Sequence, residues 1–94
     1  MEKQMASDLA EIFRVMADPT RLQILAVLLR RERRVSDIAA ALDMSVSAVS
    51  HQLHLLRQMR LVRWRRAGRE IHYALDDDHI ETLFRAGLEH VNHG

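Results

Sequence analysis

Asp77, His79, His90 and His93 lie within the last eighteen residues of a 94-residue chain that has six histidines and no cysteine. One carboxylate and three imidazoles fill the four positions of a tetrahedral zinc site. A catalytic zinc keeps one position open, so a closed set points to a structural or sensing ion, and no catalytic residue is assigned. The spacing adds a second constraint. His79 and His90 are eleven residues apart, which on one helix puts them on a common face but roughly 16 Å apart along the axis. Ligand bonds of about 2 Å cannot span that gap. His90 and His93 are neighbours at three residues. The site therefore closes most simply when the Asp77/His79 end of one helix meets the His90/His93 end of an antiparallel copy, giving a homodimer with two equivalent interfacial sites. Taken singly, each residue has an ordinary role: a carboxylate at a helix start, an exposed histidine, a polar helix end. Asp76 and Asp78 stand beside Asp77 as alternative carboxylates, and His51, His54 and His72 lie in the other half of the chain, suited to packing or DNA contact.

The elements that position these residues are mostly helical. Leucine, alanine, valine and isoleucine are plentiful, while the chain has one proline and three glycines. Ninety-four residues make a single small domain (1–94) with a limited core that gains from assembly. Met5, Leu9, Ile12, Phe13 and Met16 give an apolar face over about 5–16. Asp18 then caps a helix with Pro19 at its first position, running to about residue 30. The polar stretch 30–34 ends it, and Ser36 is placed to cap a short third helix that buries Ile38, Ala39 and Leu42. After a tight connection at Asp43–Ser45, a fourth helix over about 46–58 buries Val46, Val49, Leu53 and Leu56. Beyond Leu61 the period becomes two: Val62 and Trp64 alternate with arginines, Ala67-Gly68 turns, and Ile71, Tyr73 and Leu75 alternate again, which predicts a hairpin over about 62–75. A last helix over about 77–92, with Asp78 and Glu81 in the places of a capping box, carries Ile80, Leu83, Phe84, Leu88 and Val91 as its stripe. Helix, helix, short helix, turn, polar-faced helix and basic hairpin is the order of a winged helix-turn-helix: mainly α, with a two-stranded β wing.

Net charge is only +1, but no acid occurs between Asp43 and Glu70, a window holding Arg57, Arg60, Arg63, Arg65, Arg66 and Arg69. Such a patch supplies phosphate contacts even in a nearly neutral chain. The fourth helix leaves Ser47, Ala48, Ser50, His51 and Gln52 on or near its outer surface. Short hydroxyl side chains let a helix sit deep in the major groove, and Gln52 can pair with adenine. Ser45 is a cap whose neighbouring N–H groups can meet a phosphate. Arg57, Arg60 and Arg63 flank the helix, while Arg65, Arg66 and Arg69 in the hairpin suit phosphate or minor-groove contact. The partner expected is double-stranded operator DNA. The helices at 5–16 and 77–92 are left to form the dimer. No apolar run is long enough to span a bilayer, and residues 1–17 lack a signal-type apolar core, so the expectation is a cytoplasmic protein with neither membrane nor small-molecule substrate as partner.

The chain resembles the ArsR/SmtB family of winged-helix repressors, and in particular its zinc-responsive members. The resemblance covers residues 6–93 and rests on Ala17-Asp18-Pro19-Thr20-Arg21-Leu22, on Ser45 through Leu56, on the Gly68–Leu75 wing and on the run from Leu75 into the histidines. The metal motif of those members is Asp-x-His, ten residues, then His-x-x-His, met here by Asp77, His79, His90 and His93 without insertion. The resemblance implies that the metal-free dimer binds an operator and represses efflux or sequestration genes, and that zinc releases it. It also implies that His90 signals to a backbone carbonyl near Arg60. Relatives that sense arsenite, cadmium or lead use a Cys-x-Cys pair on the third helix. Arg34 and Ser36 occupy those positions here, so that chemistry is absent. Nickel-sensing relatives recruit further ligands from their tails, and with no histidine before His51 zinc is favoured, cobalt or nickel being able to occupy the same site. The competing readings are a repressor whose metal site is vestigial and answers a non-metal signal, a metallohydrolase, disfavoured by the closed ligand set, and a protein–protein module, which would need no arginine hairpin.

Overall fold

Of the four helix caps the sequence predicts, Asp18 and Ser45 are found where expected, while the other two shift to neighbouring residues. The computed structural model describes residues 1–29 and 31–93. Helix α1 (Lys3–Met16) ends as the Ala17 N–H donates to the Phe13 carbonyl at 2.9 Å. Asp18 caps α2 (Pro19–Val27), its Oδ2 accepting from the Arg21 N–H at 3.0 Å, with Pro19 in the first turn, where an N–H has no helical partner. Helix α2 stops three residues before the predicted end. The Leu28 and Leu29 N–H groups reach back three residues to Leu25 and Ala26, a tightening common in last turns. The predicted terminus at Arg30 lies outside the described residues.

The polar stretch predicted only as a helix terminator holds a strand. Strand β1 (Arg33–Arg34) pairs antiparallel with β3 (Glu70–Leu75), Arg33 opposite Tyr73 and Arg34 opposite His72. With β2 (Val62–Ala67) on the other side of β3, the sheet has the order β1-β3-β2, so the two-stranded wing is backed by a third short strand. Two residues give no alternation to detect, and a pair of arginines reads as solvated surface. The same correction moves a cap. Helix α3 (Val35–Leu42) begins one residue before Ser36, with Arg34 as the capping position and Asp37 accepting its N–H at 3.4 Å.

Helix α4 (Val46–Gln58) starts on Ser45, whose Oγ accepts from the Ala48 N–H at 3.0 Å. Val49, Leu53 and Leu56 are buried as predicted, but Val46, the first residue of the helix, is 52% exposed. Among the described residues, two non-glycine residues adopt the left-handed conformation, and each closes a helix. Asp43 (φ 53°) turns α3 into α4, with the Met44 N–H on the Ala39 carbonyl at 2.9 Å. Arg60 (φ 59°) turns α4 into β2, with the Leu61 N–H on Leu56 at 2.9 Å and the Arg60 N–H on Arg57 at 3.0 Å, a Schellman closure without its usual glycine. The hairpin then turns on Gly68 (φ 66°) and Arg69 between the paired Ala67 and Glu70. A positive φ at the first central residue is what a type II′ turn requires.

Val15, Ile24, Leu25, Ile38, Val49, Leu53, Leu56, Leu61 and Val62 form the centre of the core, and among the described residues no polar side chain is buried in it. The core thus joins α4 to the base of the hairpin through Leu61 and Val62. Helix α5 (Asp78–His93) contributes no buried residue at all. No described helix is long and apolar enough to cross a membrane.

Candidate functional site

Asp77, not Asp78, caps the last helix. Its Oδ1 accepts from the backbone N–H groups of His79 at 2.9 Å and Ile80 at 3.1 Å, so the Asp78/Glu81 capping box is not formed. The other carboxylate oxygen, Oδ2, faces His79 Nδ1 at 3.6 Å, and the His79 side chain is 94% exposed. One carboxylate oxygen therefore fixes the helix start while the second is directed, with an imidazole, toward solvent. At the far end His90 and His93 are exposed in the last turn, with His93 Nε2 3.7 Å from Glu89 Oε1. Among the described residues of a single chain, no three histidine, aspartate or glutamate side chains come together to hold an ion. That is what the helical spacing dictates for one copy, with the Asp77–His79 pair and the His90 and His93 imidazoles at opposite ends of α5. The donor chemistry suits zinc, with borderline nitrogen and oxygen ligands and no thiolate.

The α4 surface presents Ser47, Ala48, Ser50 and His51 to solvent. Gln52 differs from the residue expected there. It is half-buried, and its Oε1 accepts from Arg21 Nε at 3.1 Å, while Arg21 Nη1 also donates to the Val15 carbonyl at 3.2 Å. The amide keeps its N–H₂ donors for a base, while one of the two lone pairs of its oxygen is taken by Arg21. Arg21 thus ties α2, the end of α1 and the reading helix together. Nothing in its sequence neighbourhood marks it for that task.

The six arginines of the acid-free window do not share one situation. Arg57, in the last turn of α4, lies over the Trp64 ring with 4.7 Å between guanidinium carbon and ring centroid. Arg65 is held by Glu32, whose two oxygens accept from Nε and Nη2 at 2.7–2.9 Å. Hydrogen bonding and charge from Arg65 hold the Glu32 carboxyl below the usual carboxylate range. Arg63 Nη1 reaches the Asp76 carbonyl at 3.4 Å. On β1, at the far edge of the sheet, Arg34 bonds Asp37 and reaches Glu70 at 3.3 Å, and the bond to Arg34 lowers the Asp37 carboxyl in turn. Arg66 and Arg69, flanking the turn, are exposed and have no ion-pair partner among the described residues. Glu32 stands outside the basic window, and only tertiary structure shows that it reaches Arg65.

Between α5 and the α1–α2 pair runs an apolar groove of about 370 Å³ lined by Phe13 and Met16 of α1 and Leu22 of α2 on one side and Leu83, Phe84, Gly87, Leu88 and Val91 on the other. Phe13, Leu22, Leu83, Leu88 and Val91 are all substantially exposed in the single chain. An apolar face of this extent marks an interaction surface.

The family model described as "Bacterial regulatory protein, arsR family" matches residues 18–63, from the α2 cap to the start of the hairpin. The chain is 46% identical over 91 residues to the Transcriptional repressor SmtB homolog of Synechocystis sp., spanning 97% of this chain and 69% of that protein. It is 34% identical over 91 residues to the Cadmium resistance transcriptional regulatory protein CadC homolog of Staphylococcus aureus, spanning 96% and 75%. Its fold is similar to the homodimeric winged helix-turn-helix DNA-binding domain of Mb0332 from Mycobacterium bovis, with a TM-score of 0.88 at 29% identity over 98% of this chain and 87% of that one.

Proposed function

The chain belongs to the arsR family of bacterial regulatory proteins, and we propose that it is a metal-responsive repressor whose metal-free dimer binds operator DNA and is released by zinc. As a member of that family it is a regulator and not an enzyme. The observation that carries the metal reading is the division of labour in Asp77: Oδ1 caps α5 while Oδ2 and His79 form one half of a four-donor set. The other half, His90 and His93, sits roughly three turns away on the same helix. Two copies packed with their α5 helices antiparallel bring unlike halves together twice. The exposed apolar groove along α1 and α5 supplies the surface for that packing, and the similar Mb0332 domain is homodimeric. The regulatory role of the cadmium-resistance relative supports a metal as effector. Without cysteine, this chain must answer a metal through nitrogen and oxygen donors, and zinc fits them best, with cobalt or nickel able to occupy the same site.

On DNA, the α4 face of Ser47, Ser50 and His51 enters the major groove, Ser45 presents the helix start to a phosphate, and the exposed wing arginines flank the duplex. When bound, the ion supplies a cross-link between the two copies. Asp77, His79, His90 and His93 fix the relative angle of the two α5 helices, and through the shared core the spacing of the two α4 helices. If that spacing mismatches successive major grooves, metal and DNA weaken each other's binding by the same factor. The genes controlled would be those that export or sequester the metal.

Subunit complementation tests the site. Asp77→Ala/His79→Ala and His90→Ala/His93→Ala homodimers each keep only like half-sites and should fail to bind zinc tightly. Mixed together, they form heterodimers in which one complete site is rebuilt, so zinc binding should return at one ion per heterodimer. A mixture that stays as weak as its components contradicts a site shared across the dimer. Tight zinc binding with unchanged DNA affinity would instead favour control by a non-metal signal.

A further inference from the structure

The hairpin is anchored to the reading helix at its base and again part-way along its length. At the base, the Arg60 turn and the Asp76 N–H on the Leu61 carbonyl at 3.0 Å fix where β2 leaves α4, and Val62 pairs with Leu75 in the core. Beyond that buried pair, Trp64 lies opposite Tyr73 and is 36% exposed, with the Arg57 guanidinium across its face at 4.7 Å. This separation is inside the range of about 6 Å for a cation–π contact. From Val62 to Gly68 the strand extends roughly 20 Å. Over such a lever, a rotation of about 10° moves the tip by more than 3 Å, enough to separate a guanidinium from a phosphate at hydrogen-bond distance.

We infer that Arg57 is a positioning residue that seats the wing against the reading helix, and that it supports DNA binding through Arg66 and Arg69 instead of through a phosphate contact of its own. The inference rests on the proposed DNA-binding role. Arg66 and Arg69 are the wing arginines with neither an ion pair nor a side-chain hydrogen bond among the described residues, whereas Arg65 is engaged by Glu32 and Arg63 by the Asp76 carbonyl. Arg57 and Glu32 thus hold the hairpin from α4 and from the loop before β1, and the tip carries the charge offered to DNA.

Trp64 is the only tryptophan, so its fluorescence reports this contact alone. In the free protein, Arg57→Met should make Trp64 more accessible to acrylamide, since losing a partly exposed cation–π pair shifts the seated-to-unseated ratio by about two- to fivefold. Arg57→Lys, which retains a cation, should stay near wild type. On a short random-sequence fluorescent duplex, Arg57→Met should weaken binding in the wild-type background and have no further effect in an Arg66→Met/Arg69→Met background. Unchanged Trp64 quenching in Arg57→Met would overturn the inference. So would an additive loss on DNA, with the salt dependence falling by about a further 0.9 in the double-arginine background, the signature of a separate phosphate contact. Failure of the DNA-binding role itself would appear differently, as a wild-type protein with no salt-dependent affinity for the duplex, whatever Trp64 does.

Discussion

Replacing Leu88 with glutamate should dismantle the dimer while sparing the protomer. Leu88 lines the apolar groove and is 47% exposed in the single chain, on a helix that packs against the core through Ile80 and Phe84 but has no fully buried residue. Fully burying a leucine side chain is worth about 1.5–3 kcal/mol, so covering the exposed half is worth roughly 1 kcal/mol. A symmetric interface uses the residue twice, which makes about 2 kcal/mol, or roughly thirtyfold in the dimer dissociation constant. A buried carboxylate adds to that loss, so thirtyfold is the lower bound expected for Leu88→Glu. Sedimentation equilibrium over a dilution series reads the constant, and circular dichroism checks that the helices persist. A Leu88→Glu protein that remains dimeric at wild-type dilution would show that this groove is not the dimer surface.

Asp77 performs two tasks that substitution can separate. Asp77→Asn retains an N-cap and should keep wild-type stability while zinc affinity falls, whereas Asp77→Ala should lose both zinc and about 1 kcal/mol by urea denaturation. A matched stability loss in the two variants would contradict the capping role of Oδ1. Leu53, fully buried on α4, should cost about 2–5 kcal/mol as Leu53→Ala; a change under 1 kcal/mol in urea melts would place it outside the core. The Glu32–Arg65 pair gives a pH dependence with a defined sign. The Glu32 carboxyl titrates below its ordinary value of 4.5 when folded, so its contribution is complete above that value and disappears as pH falls through the lowered one. Glu32→Gln should therefore be less stable than wild type at neutral pH and converge with it in acid; a constant difference from neutrality down through that range would contradict the pairing.

Long periodic elements were legible because burial imposes their pattern. Val49, Leu53 and Leu56 on α4, and Val62 and Leu75 at the hairpin base, show their helical or alternating spacing directly. Caps chosen by residue type alone fared less evenly. Asp18 and Ser45 cap as expected, but Ser36 yielded to Arg34, which pairing in β1 holds in extended conformation just ahead of α3, and Asp78 yielded to Asp77. Strand β1 was illegible because two arginines carry no periodicity. The ligand set was visible as a pattern of types and spacing, and the same spacing required a second copy. What each arginine does was not visible. Arg57, Arg65 and Arg66 look alike in sequence, and they differ only because Trp64 and Glu32 reach the first two.

Titration of zinc into the protein bound to a fluorescent duplex, enriched from a random pool by the metal-free form, tests metal control of DNA binding most directly. Wild type should lose about tenfold or more in DNA affinity, within the usual span of allosteric couplings, as zinc reaches two ions per dimer. His90→Ala should hold the duplex unchanged over the same titration. A wild-type affinity that does not move at saturating zinc would contradict the role of Asp77, His79, His90 and His93 as a switch.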